Sequence, residues 1–218
     1  MKFSTLYLYL VMQLFDFHHH KKNSTGIYNL ERDDETPEKT FSAGIHPADI
    51  TENYEAQLAW FYEKSSEKNC IAIGECGLDG IVKTDYTLQK NVFREQIIWA
   101  EKIRKPVIIH CVRKFHDLPE FRKISEVPMI IHGFNKKNEV AKQLLKQGFY
   151  LSFGSALLYS LSLQQCFKKI SSERFFLETD NADVEIAELY QKAAELRNCS
   201  VEEIILQINS NIQKITQL

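Results

Sequence analysis

Two stretches of this chain end alike: Pro106-Val107-Ile108-Ile109-His110 and Pro128-Met129-Ile130-Ile131-His132. Each is a short apolar run rich in branched side chains that closes on an imidazole. Neither alternates polar with apolar residues, as a strand with one solvated face does, so both read as buried parallel strands covered by helices. Similar runs occur at residues 41–45, 70–74, 149–153 and 174–177, with the two quoted runs spanning 106–109 and 127–131. A further buried strand is read at 14–18, which brings the strong strands to seven.

Helical patterns fill the intervals. Within 84–104, Val92, Phe93, Gln96, Ile97, Ala100 and Ile103 share one helical face. The segment 138–147 stops at Gly148, a suitable C-cap. Ser200 and Glu203 form a capping-box pattern at the start of the last helix. Alternating strands and helices imply an α/β fold with right-handed crossovers. The first expectation is a (β/α) barrel of the TIM type, in one domain over 1–218. A doubly wound open sheet is the second. The chain is short for a barrel, and the shortage lies between His20 and Phe41, where only 26–30 reads as a strand. Six residues are too few for a helical crossover. The barrel is therefore expected to be shortened and irregular there, incomplete or locally antiparallel. Asp33, Asp34, Glu35 and Pro37 mark a solvated loop.

Composition bounds the rest. The chain has 218 residues, 44% hydrophobic and 26% charged, with 27 Lys and Arg against 29 Asp and Glu. That excludes disordered, collagen-like and coiled-coil classes. A net charge of −2 leaves no global basic field for charge-driven duplex binding. The five cysteines, odd in number and without metal-clip spacing, fit a reduced cytoplasmic chain. Residues 6–17 are mostly apolar. They lack a cleavage site for a signal peptide and are too short to span a bilayer. Residues 1–11 read as a dispensable extension, with Met12 as an alternative start.

The chemistry sits at the strand ends. Asp16, His18 and His20 share one parity on the first strand. His46, Glu75, His110, His132 and Asp180 each stand at or just past the C-terminal end of another strand. In an α/β barrel that end is the active-site face. Singly, each has a bland reading: a hydrogen-bonded structural histidine, or a carboxylate capping a helix. Six strands delivering such groups to one face read as a metal site. His19 and His116 fall outside the set. The donor mix suits Zn, Mn, Fe or Co, with Mg if water completes the shell. It is too large for one tetrahedral ion and fits two ions sharing a bridging carboxylate.

Six motifs appear in order: Asp16-x-His18-x-His20, Gly44-Ile45-His46-Pro47, Ile73-Gly74-Glu75-Cys76-Gly77-Leu78-Asp79, Ile109-His110-x-x-Arg113, Ile131-His132-Gly133-Phe134 and Leu177-Glu178-Thr179-Asp180. From about residue 12 to 218 the chain resembles the TatD family of metal-dependent hydrolases, described as deoxyribonucleases on an amidohydrolase-like barrel. The resemblance implies that His18, His20, Glu75, His110, His132 and Asp180 are metal ligands for two divalent ions (Zn, Mg or Mn). It makes Glu75 the bridge, His18, His20 and Asp180 one ion's shell, and His110 and His132 the other's. Asp180 is the expected proton acceptor. His46 is expected to meet a phosphate oxygen or orient a ligand, and Arg113 to grip a phosphate. Asp16 is expected to support His18 or cap a helix.

The sequence departs from the family in its shortened first βα unit, which predicts a different, more open wall beside His20. It also has Asn181-Ala182 where Ala-Pro is usual. The implied substrate is DNA, single-stranded or bound at an end, with no membrane and no obligate protein partner. Lys21, Lys22, Arg113, Lys114, Lys136 and Lys137 all follow ligand-bearing strands and read as a basic rim or as solvated loops. A sibling hydrolase for small esters, lactones or amides is the alternative. A metal-binding protein without turnover is a third reading, disfavoured by the intact ligand set.

Overall fold

A computed structural model describes residues 13–22 and 24–216. The extension and start site expected at 1–12 lie outside the described residues. Eight strands form one sheet in chain order: β1 (Asp16–His19), β2 (Gly26–Asn29), β3 (Phe41–Ala43), β4 (Cys70–Asp79), β5 (Val107–Val112), β6 (Met129–Ile131), β7 (Tyr150–Phe153) and β8 (Phe175–Leu177). Every neighbouring pair is parallel. Among the described residues the α-helices are α1 (Tyr54–Ser65), α2 (Tyr86–Ile103), α3 (Leu118–Arg122), α4 (Asn138–Lys146), α5 (Ala156–Tyr159), α6 (Leu161–Phe167), α7 (Ile186–Arg197) and α8 (Val201–Thr216). This is the TIM-type barrel, not the open sheet.

The first βα unit is shortened and irregular as expected, with a register shift between β1 and β2, but the expectation of a locally antiparallel start is corrected. β1 and β2 pair in parallel, with Asp16 opposite Gly26 and His19 opposite Tyr28, and no helix lies between them. The crossover rule assumes a helix-bearing return. Here β1 has four residues, so the chain must retrace only about 10 Å, which six extended residues span. Gly26 makes the close return feasible. Its φ is +147°, and a Cβ there would lie 1.9 Å from the Asp16 carbonyl oxygen.

The seam between β1 and β8 closes through one parallel bridge, His19 with Asp180. Asp180 N–H donates to His18 O at 2.9 Å, and His20 N–H donates to Asp180 O at 3.4 Å. Side chains reinforce it. Asp16 accepts from Thr179 N–H at 2.9 Å and from Thr179 Oγ1 at 2.6 Å. Phe17 stacks on Phe176 with centroids 4.2 Å apart, both fully buried. Each ring contributes about 1.5–3 kcal/mol of burial. The Tyr190 hydroxyl on α7 donates to Phe15 O (2.9 Å) and accepts from Phe15 N–H (3.1 Å).

The helical faces follow the apolar spacing. α2 buries Gln89, Val92, Phe93, Gln96, Ile97 and Ala100. Asp85 caps its start by accepting from Leu88 N–H. At the start of α8, Ser200 Oγ accepts from Glu203 N–H, and Glu203 accepts from Ser200 N–H. β4 outruns its expected end at Gly74. Gly77 pairs with His110 and Asp79 with Val112. Gly77 has φ +150°, and a Cβ would lie 2.0 Å from His110 O, so only glycine lets β4 and β5 stay paired there.

Candidate metal centre

The barrel mouth gathers the strand-end donors. His18 lies within β1, His20 one residue past it, His110 within β5 and His132 one residue past β6. Glu75 lies midway along β4. It still reaches the mouth because β3 stops at Ala43, opposite Ile73. The Glu75 carboxylate is the hub. Its Oε1 lies 2.7 Å from His110 Nδ1, 2.7 Å from His132 Nε2 and 3.5 Å from His46 Nε2. Its Oε2 lies 3.3 Å from His18 Nε2 and 3.9 Å from His20 Nε2. Asp180 Oδ1 stands 3.5 Å from His20 Nε2 and 3.8 Å from His18 Nε2.

Three overlapping groups have donor atoms within 4.8 Å of one another: His18 with His20 and Asp180, His18 with Glu75 and His132, and His46 with Glu75 and His110. The set fits divalent cations on a specific ground. Nδ1 and Nε2 of His18 and Nε2 of His20 are buried without a hydrogen-bond partner. An orphaned buried polar atom costs about 1–3 kcal/mol, which a cation accepting the lone pair offsets. His46 thus joins the donors, with its Nδ1 occupied by Ala48 N–H at 3.2 Å.

Four supporting residues were not among the expected site residues. Asp79 Oδ2 lies 3.0 Å from His110 Nε2, which leaves Nδ1 facing Glu75. Glu178, fully buried, lies 3.4 Å from His132 Nδ1 and accepts from Gly133 N–H. Asn29 Oδ1 accepts from Glu75 N–H at 2.8 Å. Gln89 on α2 brackets Asp79: its Oε1 accepts from Asp79 N–H (2.8 Å) and its Nε2 donates to Asp79 O (3.1 Å). Strand parity was the available signal for two of them, since Asp79 matches Glu75 and Glu178 matches Asp180. Asn29 and Gln89 carry no local signal. Such partners fix ligand orientation.

The local field is strong. Burial raises the proton affinity of Glu75, but the His132 charge and the hydrogen bonds from His110 and His132 outweigh it and hold the carboxyl well below its usual range. Burial lowers that of His132, while Glu75 and Glu178 on its two sides raise it well above. Burial depresses His46. His19, as its parity implies, belongs to none of the groups. It lies near Tyr28, and burial pushes it down to about 4. Asp16 sits in a strand and latches the seam, so it caps no helix.

The centre opens into a cavity of about 650 Å³. Its lining includes Glu31, Asp33, Asp49, Glu75 and Asp180 against a single Lys or Arg, Arg32. The wall beside His20 is built by residues 30–33, with Glu31 3.5 Å from His20 Nδ1. Asn181 also lines it. The expected basic rim does not line this cavity. Lys21 donates to Val184 O, Lys22 pairs with Asp34, and Lys114 lies over the Tyr86 ring. Arg113 and Lys136 line a different cavity, of about 510 Å³.

A family model described as TatD related DNase matches residues 10–217. The chain belongs to that family. This TatD-family chain is a metal-dependent hydrolase by that membership. It is 31% identical over 194 residues to YabD of Bacillus subtilis, described as an uncharacterized metal-dependent hydrolase, covering 80% of this chain and 76% of that protein. It is 29% identical over 181 residues to the 3'-5' ssDNA/RNA exonuclease TatD of Cronobacter turicensis, covering 77% and 67%. Among solved structures, a TatD family hydrolase from Entamoeba histolytica superposes with a TM-score of 0.70 at 21% identity, covering 81% of this chain and 74% of that one. YjjV, a TatD homologue from Escherichia coli, gives 0.70 at 21%, covering 82% and 77%. These two support the barrel. No helix among the described residues is long and apolar enough to cross a membrane.

Proposed function

We propose that this chain hydrolyses phosphodiester bonds in DNA, single-stranded or at an end, using two divalent ions. The carrying observation is Glu75, whose two oxygens address two different sets of imidazoles. In this reading His18, His20 and Asp180 would hold one ion, and His110 and His132 the other. Glu75 faces both groups of imidazoles, and His46 stands with His110. Ions bound there supply Lewis-acid charge and make water nucleophilic near neutral pH. The Asp180 carboxylate would accept the proton, because it faces both the histidines and solvent, with 38% of the side chain exposed. Asp79 hydrogen-bonds one ring nitrogen of His110 and Glu178 stands 3.4 Å from one of His132, which turns the other nitrogen of each ring to the centre. The name of the Cronobacter relative supports a nucleic-acid substrate. Five free cysteines, four of them buried, support a reducing, cytoplasmic setting.

The test is cleavage of labelled single-stranded DNA by purified protein with Mg, Mn or Zn. Chelator should abolish cleavage. Glu75→Gln and Asp180→Asn should each reduce it by more than about a hundredfold, with Glu75→Gln also lowering the bound metal count. Undiminished cleavage in those variants, or turnover confined to small esters, would overturn the reading.

A further inference from the structure

The cavity at the metal centre is a poor holder of a polyanion, since acidic side chains dominate its wall. Ions held there would serve the phosphate being cleaved, and flanking phosphates would need partners elsewhere. The second cavity has the opposite character. Arg113, Lys136 and His116 line it with Phe115, Val140 and Leu144, and none of its lining residues is acidic. Arg113 and Lys136 are exposed, and Lys136 Nζ lies 5.8 Å from the Phe115 ring centroid. Two cations beside a half-buried aromatic ring and an apolar floor match a nucleotide, with the phosphate on the cations and the base on the ring.

Its place in the fold matters. Arg113 directly follows β5, three residues past His110, and Lys136 stands four residues past His132. Consecutive Cα atoms are 3.8 Å apart, so Arg113 lies within about 11 Å of a centre residue along the chain. That is roughly three stacked nucleotides.

We infer that the groove between the loop after β5 and helix α4 is a subsite for a flanking nucleotide of single-stranded nucleic acid, outside the cleavage centre. A duplex would keep its bases stacked and withhold them from Phe115. The inference rests on the nuclease reading for its purpose but not for its binding test.

The probe is fluorescein-labelled dodecathymidylate, followed by anisotropy with the full chain in chelator and at low salt. The Arg113→Ala/Lys136→Ala double variant should raise Kd at least about tenfold. It should also make the salt dependence shallower by roughly 1.4 in the log–log slope. Phe115→Leu, which keeps apolar packing but removes the ring face, should raise Kd about fivefold. Lys137→Ala removes the same charge from the same loop outside the groove lining and should change Kd less than about twofold. No binding by the wild type, no loss in the groove variants, or an equal loss in Lys137→Ala overturns the subsite. If the groove variants lose binding while metal-loaded protein leaves DNA intact, the subsite stands and the nuclease reading falls. If DNA is cleaved and the groove variants bind normally, the reverse holds.

Discussion

Replacing Gln89 by leucine is expected to destabilise the protein by about 1–5 kcal/mol, although neither residue carries charge and their volumes are close. Gln89 is 1% exposed and makes three side-chain hydrogen bonds to backbone. It accepts from Asp79 N–H at 2.8 Å and donates to Asp79 O at 3.1 Å and Thr84 O at 3.0 Å. Thr84 is half-buried, so water can replace its bond at small cost. The two Asp79 groups lie inside the barrel wall, and each orphan costs about 1–3 kcal/mol. Leucine recovers part of this by apolar burial, about 1 kcal/mol. Gln96 supplies an internal comparison. It is fully buried and clasps only Ile45, accepting from its N–H at 2.7 Å and donating to its O at 3.2 Å. Gln96→Leu should therefore cost somewhat less than Gln89→Leu. Urea unfolding of both variants measures the two costs. Losses below about 1 kcal/mol, or a clearly larger loss for Gln96→Leu, would refute the orphan-group reasoning.

Asp79→Asn leaves the fold intact but weakens control of His110, so metal affinity should fall about 10–100-fold, read by competition with a chromogenic chelator. Tyr190→Phe removes both bonds to Phe15 and should cost about 1–3 kcal/mol in thermal denaturation, with no change in metal content. Burial raises Asp16 from 3.8 to about 6, against the Thr179 bonds. The folded carboxyl thus keeps its proton where the unfolded one has lost it. Its stabilising contribution is full below about pH 4 and is lost as pH rises through about 6. The stability of wild type relative to Asp16→Asn should therefore fall by about 3 kcal/mol between those limits. A flat difference across that window would show that the carboxyl is not titrating there.

The wall strands were legible because each is a compact apolar run, and six of them deliver an ionisable group to the mouth. Seven of the eight stood out, and the eighth, β2, was the only candidate in its interval. Its parallel pairing was not legible. The length of a loop says nothing of the distance it must return, and that distance is small only because β1 has four residues. The donor set was legible for a related reason. Strand ends are fixed by sequence, and in a barrel they converge on one mouth. Arg113 shows where this logic stops. Following a ligand strand put it at the mouth, yet its side chain lines a neighbouring cavity, because the loop beyond the strand sets its own direction.

By itself, the sequence determined which ionisable groups gather at the barrel mouth, since apolar run lengths and two-residue parity are local properties of the chain. Only the tertiary structure decided that the two Glu75 oxygens divide the histidines, that Asp79 and Glu178 stand behind the His110 and His132 rings, and that the lysines expected at the mouth avoid the central cavity. Those facts depend on distances between residues as far apart in sequence as His18 and Asp180. Barrel closure sets such distances, and no local pattern encodes them.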